Sequence, residues 1–106
     1  MADHVLTTDA IRAYADLSHD HNPLHVDEVA ASRSPFGSIV AHGFLLLGGP
    51  LAALAAKDGY PKALECKFTA PGRPGDVVHT ELGTHGAFAV KIGDVAAVNG
   101  RIEAGR

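Results

Sequence analysis

FLLLGGPLAALAA, residues 44–56, is the longest apolar run of this 106-residue sequence. A membrane-spanning helix takes about 20 apolar residues, so this run is too short to cross a bilayer and suits a helix buried inside a domain. Gly48, Gly49 and Pro50 interrupt it, and proline disfavours a helix interior by ~3 kcal/mol. We favour one helix that kinks near Pro50. The alternative is a new helix that starts there with proline in its first turn.

The chain on the N-terminal side of the run predicts short helices. Thr7 and Thr8 are good capping residues, and apolar side chains follow at helical spacing, which predicts a helix over residues 9–17. Asp27 is expected to cap a second helix over Glu28–Arg33. On the C-terminal side, Lys57-Asp58-Gly59 is expected to end the central helix with a glycine stop.

Beyond residue 59 the sequence predicts strands. Four segments are rich in Val, Phe, Thr and Ile, and turns that contain glycine or proline separate them. The predicted strands are Ala63–Thr69, Asp76–Leu82, Ala87–Ile92 and Val95–Glu103. Asn99-Gly100 predicts a further turn inside the last segment. Helices therefore precede an antiparallel meander, and we expect an α+β fold with one apolar helix packed on the sheet, all in a single domain over residues 1–106.

Composition excludes several classes of function. The net charge is −3, with 9 Lys and Arg scattered along the chain, so a nucleic-acid partner is not expected. No membrane segment is expected, and no secretory leader is visible after Met1. Cys66 is the one cysteine and cannot form an internal disulfide. A reducing cytoplasm is the expected location.

SHDHNPLHVD, residues 18–27, is the stretch that most suggests chemistry. Its ligand types suit zinc: three imidazoles and a carboxylate, from His19, His21, His25 and Asp20 or Asp27. Pro23 prevents His21 and His25 from sharing a helix face, and no metal is expected. Four further histidine positions are interpreted as solvated surface residues: His4, His19, His79 and His85. His21 is expected at most to line the site.

Proton transfer is the alternative interpretation of this stretch. Asp20 and His25 flank a turn at Asn22-Pro23, which can aim both side chains at one spot while the Asn side chain bonds nearby backbone. A carboxylate beside an imidazole can hold one water and shuttle its protons near neutral pH.

DHNPLHVD, residues 20–27, resembles the motif D-x-N-P-x-H-x-D of the MaoC-like dehydratases, the (R)-specific enoyl-CoA hydratases. The residues around it are also similar to the family. Tyr14–Ser18 precede the motif as the family's aromatic-to-serine segment does. Phe36 and Ile39-Val40-Ala41-His42-Gly43 follow where the family has an aromatic residue and the start of its central helix. The resemblance covers residues 10–56.

This resemblance implies a hotdog fold, in which an antiparallel sheet wraps around one central helix and two copies form a dimer. It implies that Asp20 and His25 are the catalytic pair that holds the water, and that the Gly43 N–H binds the thioester carbonyl, a role that suits a helix N-terminus. Three more residues are expected to contact substrate: Asn22, His42 and Phe36. The implied substrate is an acyl-CoA or acyl-carrier-protein thioester, and no cofactor is implied.

One departure from the family lies in the central helix, where active hydratases often carry a serine and this chain has Gly48-Gly49-Pro50-Leu51. We therefore expect a pocket suited to a branched, cyclic or carrier-bound acyl group. Other functions stay open: a hotdog thioesterase or polyketide cyclase/dehydratase acting on a carrier-bound chain, or a non-catalytic partner subunit of a heterodimer.

Overall fold

The computed structural model describes residues 3–57 and 59–105. In chain order the elements are β1 His4–Val5, α1 Thr8–Ser18, α2 Pro23–Val26, α3 Glu28–Ser32, α4 Gly43–Leu46, α5 Gly48–Lys57, β2 Tyr60–Phe68, β3 Val77–Leu82, β4 Ala87–Ile92 and β5 Val95–Gly105. Within these described ranges, every helix is too short or too polar to cross a bilayer.

The strands form a five-stranded sheet in the order β1-β3-β4-β5-β2, and every neighbouring pair is antiparallel. Buried side chains at alternate positions of the three inner strands form its inner face: Val78, Thr80, Phe88, Val90, Val98 and Ile102. Helix α5 lies against β2, β3 and β4. This arrangement confirms the expected α+β class with an apolar helix on an antiparallel sheet.

The central apolar run forms two helices, so the prediction of one helix kinked near Pro50 is wrong. The break is at Leu47, because Pro50 has no N–H to donate to the carbonyl of Leu46. The Leu47 N–H turns instead to the Phe44 carbonyl at 3.1 Å, and the helical pattern resumes with Leu51 N–H donating to the Leu47 carbonyl at 3.0 Å. Pro50 therefore lies in the first turn of α5, as in the alternative interpretation.

One glycine of this run, Gly49, lies at a close approach between the helix and the sheet. A side chain at Gly49 would collide with the Thr80 side chain of β3, whereas one at Gly48 would meet nothing within 4 Å. The helix can thus lie directly on the sheet at Gly49. Helix α5 ends at Lys57 as predicted, while Asp58 of the expected stop lies outside the described residues.

The N-terminal helices agree with the sequence prediction. The Thr7 side chain caps α1 by accepting the Ala10 N–H at 3.0 Å, and α1 extends one residue beyond the predicted range at each end. The Asp27 carboxylate caps α3 by accepting the N–H groups of Val29 and Ala30. Helix α3 ends at Ser32, one residue before the prediction.

The strands differ from the prediction in four main respects. The expected meander is wrong for the first of its strands, because β2 pairs with β5 and not with β3. Strand β2 begins at Tyr60 rather than Ala63 and includes Pro61, which is tolerated because β2 is an edge strand. The short strand β1 was not predicted. The turn predicted at Asn99-Gly100 is wrong, because β5 continues through both residues. A Cβ at Gly100 would collide with the Glu65 carbonyl of β2 and would lie 2.8 Å from Cζ of Phe88, so the glycine makes room for both the neighbouring strand and that ring.

We expect the core to be sensitive to the residue that joins the two central helices. Leu47 is 2% exposed, and Leu47→Ala should lower the free energy of unfolding by about 2–5 kcal/mol, as large-to-small core substitutions do. Leu17→Ala is the matched control, because Leu17 is 78% exposed, and its effect should stay within about 0.5 kcal/mol. Denaturant titration measures both; equal effects would contradict the assignment of Leu47 to the core.

Candidate active site

Helix α2 carries one of the two residues expected to do chemistry. Asn22 caps this helix by accepting the Leu24 N–H on its side-chain oxygen at 3.1 Å, and Pro23 occupies the first helical position. The sequence predicted only a turn here, and the one-turn helix was missed because proline favours a helix start as well as a turn. The expected bond from the Asn side chain to nearby backbone is confirmed. His25 consequently projects from a capped helical turn.

The extended segment Ile39–His42 runs beside α2 and is buried along its whole length. Several of its backbone groups are paired with neighbours on both sides. The Val40 N–H donates to the Leu24 carbonyl at 3.1 Å, and the Ala41 N–H donates to the Gly72 carbonyl at 2.7 Å. The Val40 carbonyl accepts Nδ1–H of His25 at 2.7 Å. This bond fixes the His25 tautomer and leaves Nε2 available for chemistry.

Asp20 and His25 face each other across a short gap. Nε2 of His25 lies 3.9 Å from Oδ2 of Asp20, and the side chains are 14% and 54% exposed respectively. The gap is too long for a direct hydrogen bond, but one water at about 2.8 Å from each atom can bridge the two groups. The pair can therefore bind a water molecule and exchange protons with it.

The backbone around Asp20 is held by several bonds. The Asp20 N–H donates to Oγ of Ser18 at 3.3 Å, and the Asn22 N–H donates to Oδ1 of Asp20 at 3.3 Å. The Asp20 carbonyl accepts Nε2–H of His42 at 2.9 Å. His42 lies at the end of the buried segment, so this bond joins the Asp20 loop to the start of α4.

His42 lies in a stack of rings beneath the pair. Its ring is 3.8 Å from that of His25, with 23° between the planes. Tyr14 of α1 also meets the His42 ring edge-on, at a centroid distance of 4.9 Å. Sequence reasoning did not identify Tyr14 as part of the site. Its spacing from Ile11 and Ala15 marked it only as a position on the buried face of α1.

Two cavities adjoin these residues. The first measures about 550 Å³ and is lined by Tyr14, Ser18, Asp20, His25, His42, Gly43, Phe44 and Phe68. The second measures about 300 Å³ and has mostly apolar walls, which include Phe36, Val40, Leu46 and Pro71. Gly43 and Phe68 line both cavities. The cavity that contains Asp20 and His25 thus meets the second, more apolar cavity at these two residues.

The structure separates the residues expected to form the site. The first cavity is lined by four of them: Asp20, His25, His42 and Gly43. Phe36 lies on the wall of the second cavity. Asn22 lines neither cavity, because its side chain caps α2. Sequence reasoning missed Ser18 as a lining residue, and also Phe44 and Phe68. Nothing in the strand pattern of residues 63–69 indicated that the last aromatic ring reaches over Gly43.

The remaining histidines lie away from the two cavities. His21, expected at most to line the site, pairs outward with Asp16 at 2.9 Å. His79 pairs with Asp3 at 2.6 Å. His19 and His85 occupy left-handed backbone positions with φ of 60° and 57°. These positions agree with their interpretation as surface residues.

The structure brings together a set of possible metal ligands that differs from the set suggested by the sequence for zinc. Asp20, His25 and His42 each offer one atom within 4.8 Å of the others. The two imidazoles are stacked, however, so their in-plane lone pairs lie in separate, nearly parallel planes, which is poorly suited to binding one ion. Nδ1 of His25 and Nε2 of His42 are also engaged with backbone carbonyls. This geometry disfavours a shared metal ion.

Comparison with known sequences finds relatives along most of the chain. Residues 2–104 match the family described as MaoC like domain. Over 81 residues the chain is 32% identical to 3-hydroxybutyryl-CoA dehydratase of Methylorubrum extorquens. This alignment covers 73% of this chain and 52% of that protein. It is 40% identical over 81 residues to nodulation protein N of Rhizobium meliloti, covering 65% and 49% respectively. The chain thus spans about half the length of these relatives.

Comparison with solved structures finds the same fold. The (R)-hydratase of A. caviae involved in PHA biosynthesis superposes with a TM-score of 0.80 at 24% identity, covering 95% of this chain and 88% of that one. A protein of Archaeoglobus fulgidus superposes with a TM-score of 0.83 at 27% identity, covering 95% and 71%. The arrangement of helices on the sheet is therefore shared over nearly the whole length.

Proposed function

This chain belongs to the MaoC-like domain family and has the hotdog fold, and from that premise we propose that it is a hydro-lyase. It adds water to, or removes water from, the α,β double bond of an acyl thioester. The observation that carries this proposal is the 3.9 Å gap between Nε2 of His25 and Oδ2 of Asp20, because such a gap holds one water between a carboxylate and an imidazole.

In this reaction the paired groups move two protons. The bound water loses a proton to one member of the pair as its oxygen bonds to Cβ of the substrate. The other member delivers a proton to Cα, and dehydration runs the same steps in reverse. No electrons are gained or lost, so no redox cofactor is needed. Both groups face the same 3.9 Å gap, and we assign the two roles to the pair as a unit.

The substrate class is supported by relatives whose names specify 3-hydroxybutyryl-CoA and 3-hydroxyacyl-[acyl-carrier-protein]. We propose that this chain takes an acyl-CoA or an acyl-carrier-protein thioester. The second cavity lies beside the one that contains Asp20 and His25, and its wall includes Phe36 and Leu46. It provides room of about 300 Å³ for an acyl chain, while the reacting carbons lie next to Asp20 and His25.

The position of Gly43 supports this proposed placement of the substrate, because Gly43 lies where the two cavities meet. It is the first residue of α4, and the His42 side chain does not cap that helix. Within the described ranges, no backbone carbonyl accepts the Gly43 N–H. We propose that this N–H donates to the thioester carbonyl and stabilises the negative charge that develops there.

The test of the function is a product assay. Incubation with crotonyl-CoA, and in parallel with a crotonyl carrier protein, should abolish the enone absorbance without release of free thiol. Release of thiol would instead identify a thioesterase. A purified chain that leaves both substrates unchanged would favour the non-catalytic partner subunit of a heterodimer.

Asp20→Asn and His25→Asn should each lower kcat by about 10²–10⁴-fold, the range for loss of a general acid or base. Asn at position 25 can still donate to the Val40 carbonyl from its amide, so it removes Nε2 while it keeps the bond that orients the side chain. His21→Ala is the control, because His21 points away from both cavities, and its kcat should change by less than about threefold. Steady-state kinetics measure all three; a near-normal rate in either Asn variant would remove that residue from the pair.

The role of the Gly43 N–H can be isolated with two variants. Gly43→Pro removes the N–H, and proline suits the first position of a helix after His42, whose φ of −60° and ψ of 139° are compatible with a following proline. Gly43→Ala keeps the N–H. Both add a Cβ, which meets the half-exposed Phe68 ring at 2.8–3.2 Å. Therefore kcat should be about 10²–10³-fold lower in the proline variant than in the alanine variant. Equal rates would show that the N–H is not used.

We also propose a homodimer formed along strand β2. This strand pairs with β5 on one side only, and three of its large apolar side chains are exposed: Tyr60, Leu64 and Phe68. An uncovered edge with apolar side chains favours pairing with another strand. Light scattering at micromolar concentration should give twice the mass of the chain, and Leu64→Lys should shift the protein toward monomer. A monomeric wild-type protein would contradict the proposal.

A further inference from the structure

His42 is a buried polar residue whose position is not explained by substrate binding alone. It is 4% exposed, and its Nδ1 has no hydrogen-bond partner among the described residues. A ring nitrogen in such a place is unfavourable, and an apolar ring would fill the same space without that penalty. The polar edge that is used is Nε2, which donates to the Asp20 carbonyl.

Asp20 is weakly held apart from that bond. Its side chain is 54% exposed, and it follows His19, which ends α1 in a left-handed conformation. The Asp20 N–H donates to Oγ of Ser18, and Oδ1 of Asp20 accepts the Asn22 N–H; both bonds are 3.3 Å long. The bond from His42 to the Asp20 carbonyl is shorter, at 2.9 Å. The shortest polar contact of Asp20 therefore comes from a residue 22 positions later in the chain.

The His42 ring is itself in contact with two neighbouring rings. The Tyr14 ring meets it edge-on at 4.9 Å, and the His25 ring stacks on it at 3.8 Å. His25 is in turn held through Nδ1 by the Val40 carbonyl. A displacement of the His42 ring would therefore alter both sides of the 3.9 Å gap in which the water is proposed to lie.

We propose that His42 is a positioning residue that holds Asp20 at the distance from His25 needed to bind one water. It acts through the hydrogen bond from Nε2–H to the Asp20 carbonyl, and it does not itself exchange a proton with substrate. This inference rests on the proposed function for its kinetic consequence. The contact that it concerns is present whatever the substrate is.

The test separates the hydrogen bond from the aromatic stack. His42→Phe keeps a ring between Tyr14 and His25 but removes the donor, whereas His42→Gln removes the ring and carries an amide N–H to about the place of Nε2. We expect kcat for crotonyl-CoA to fall at least about tenfold in the Phe variant, with KM changed less than about threefold. The Gln variant should recover most of the lost kcat. Thermal unfolding checks that each variant is folded.

A readout that needs no substrate accompanies the kinetics. The ¹⁵N relaxation of the Asp20 amide should show greater mobility in His42→Phe than in wild type, and wild-type mobility in His42→Gln. If the Phe variant does not fold, His42→Asn replaces it, because its shorter amide cannot reach the Asp20 carbonyl. The Asn variant should show the same loss of kcat and the same mobility.

Several results would overturn the inference. They are an unchanged kcat in the folded Phe variant, an equal loss in the Phe and Gln variants, and an Asp20 amide as rigid in the Phe variant as in wild type. A wild-type protein that hydrates no thioester would refute the proposed function instead. In that case the relaxation of Asp20 alone decides whether His42 positions it.

Discussion

The buried segment Ile39–His42 is the constraint on which the rest of the site depends. A polypeptide that enters the core as extended chain must satisfy its N–H and carbonyl groups there, since water does not reach them. Here Leu24, His25 and Gly72 supply the partners. The same bonds that make burial of the segment possible therefore attach α2 to the core and orient an imidazole. Stability and chemical preorganisation come from one set of contacts.

Proximity in sequence and rigidity in space have different origins in this site. Asp20 and His25 are close because one capped helical turn lies between them. Their relative position is fixed by residues far along the chain, Val40 for His25 and His42 for Asp20. A short motif can thus bring two reacting groups together, while the core has to hold them still. Preorganised geometry of this kind is what lets a bound water react without prior rearrangement.

The α+β class could be predicted from sequence because it follows from local patterns: apolar periodicity, capping residues and turn residues located helices α1 and α3 and three of the strands closely. The proposed pair Asp20 and His25 was selected by the resemblance of residues 20–27 to the family motif, and spacing alone left other interpretations open. The errors arose where a residue type has two uses. Proline at position 23 starts a helix as readily as a turn, and the glycine at position 100 makes room for Phe88 instead of forming a hairpin. The contacts of Tyr14 and Phe68 depend on packing between distant elements, which no local pattern encodes.

The position of Phe68 links two properties that are usually considered apart. Its ring stands in the wall common to both cavities, and its backbone is the last residue of the sheet's free edge strand. A strand of another protein molecule that paired with β2 would contact the same strand that carries Phe68. In the proposed dimer, association at this edge and occupancy of the cavities would therefore involve one shared side chain, and any coupling between the two would be reciprocal. The width of the proposed acyl site would then depend on the assembly as well as on the residues proposed for the chemistry.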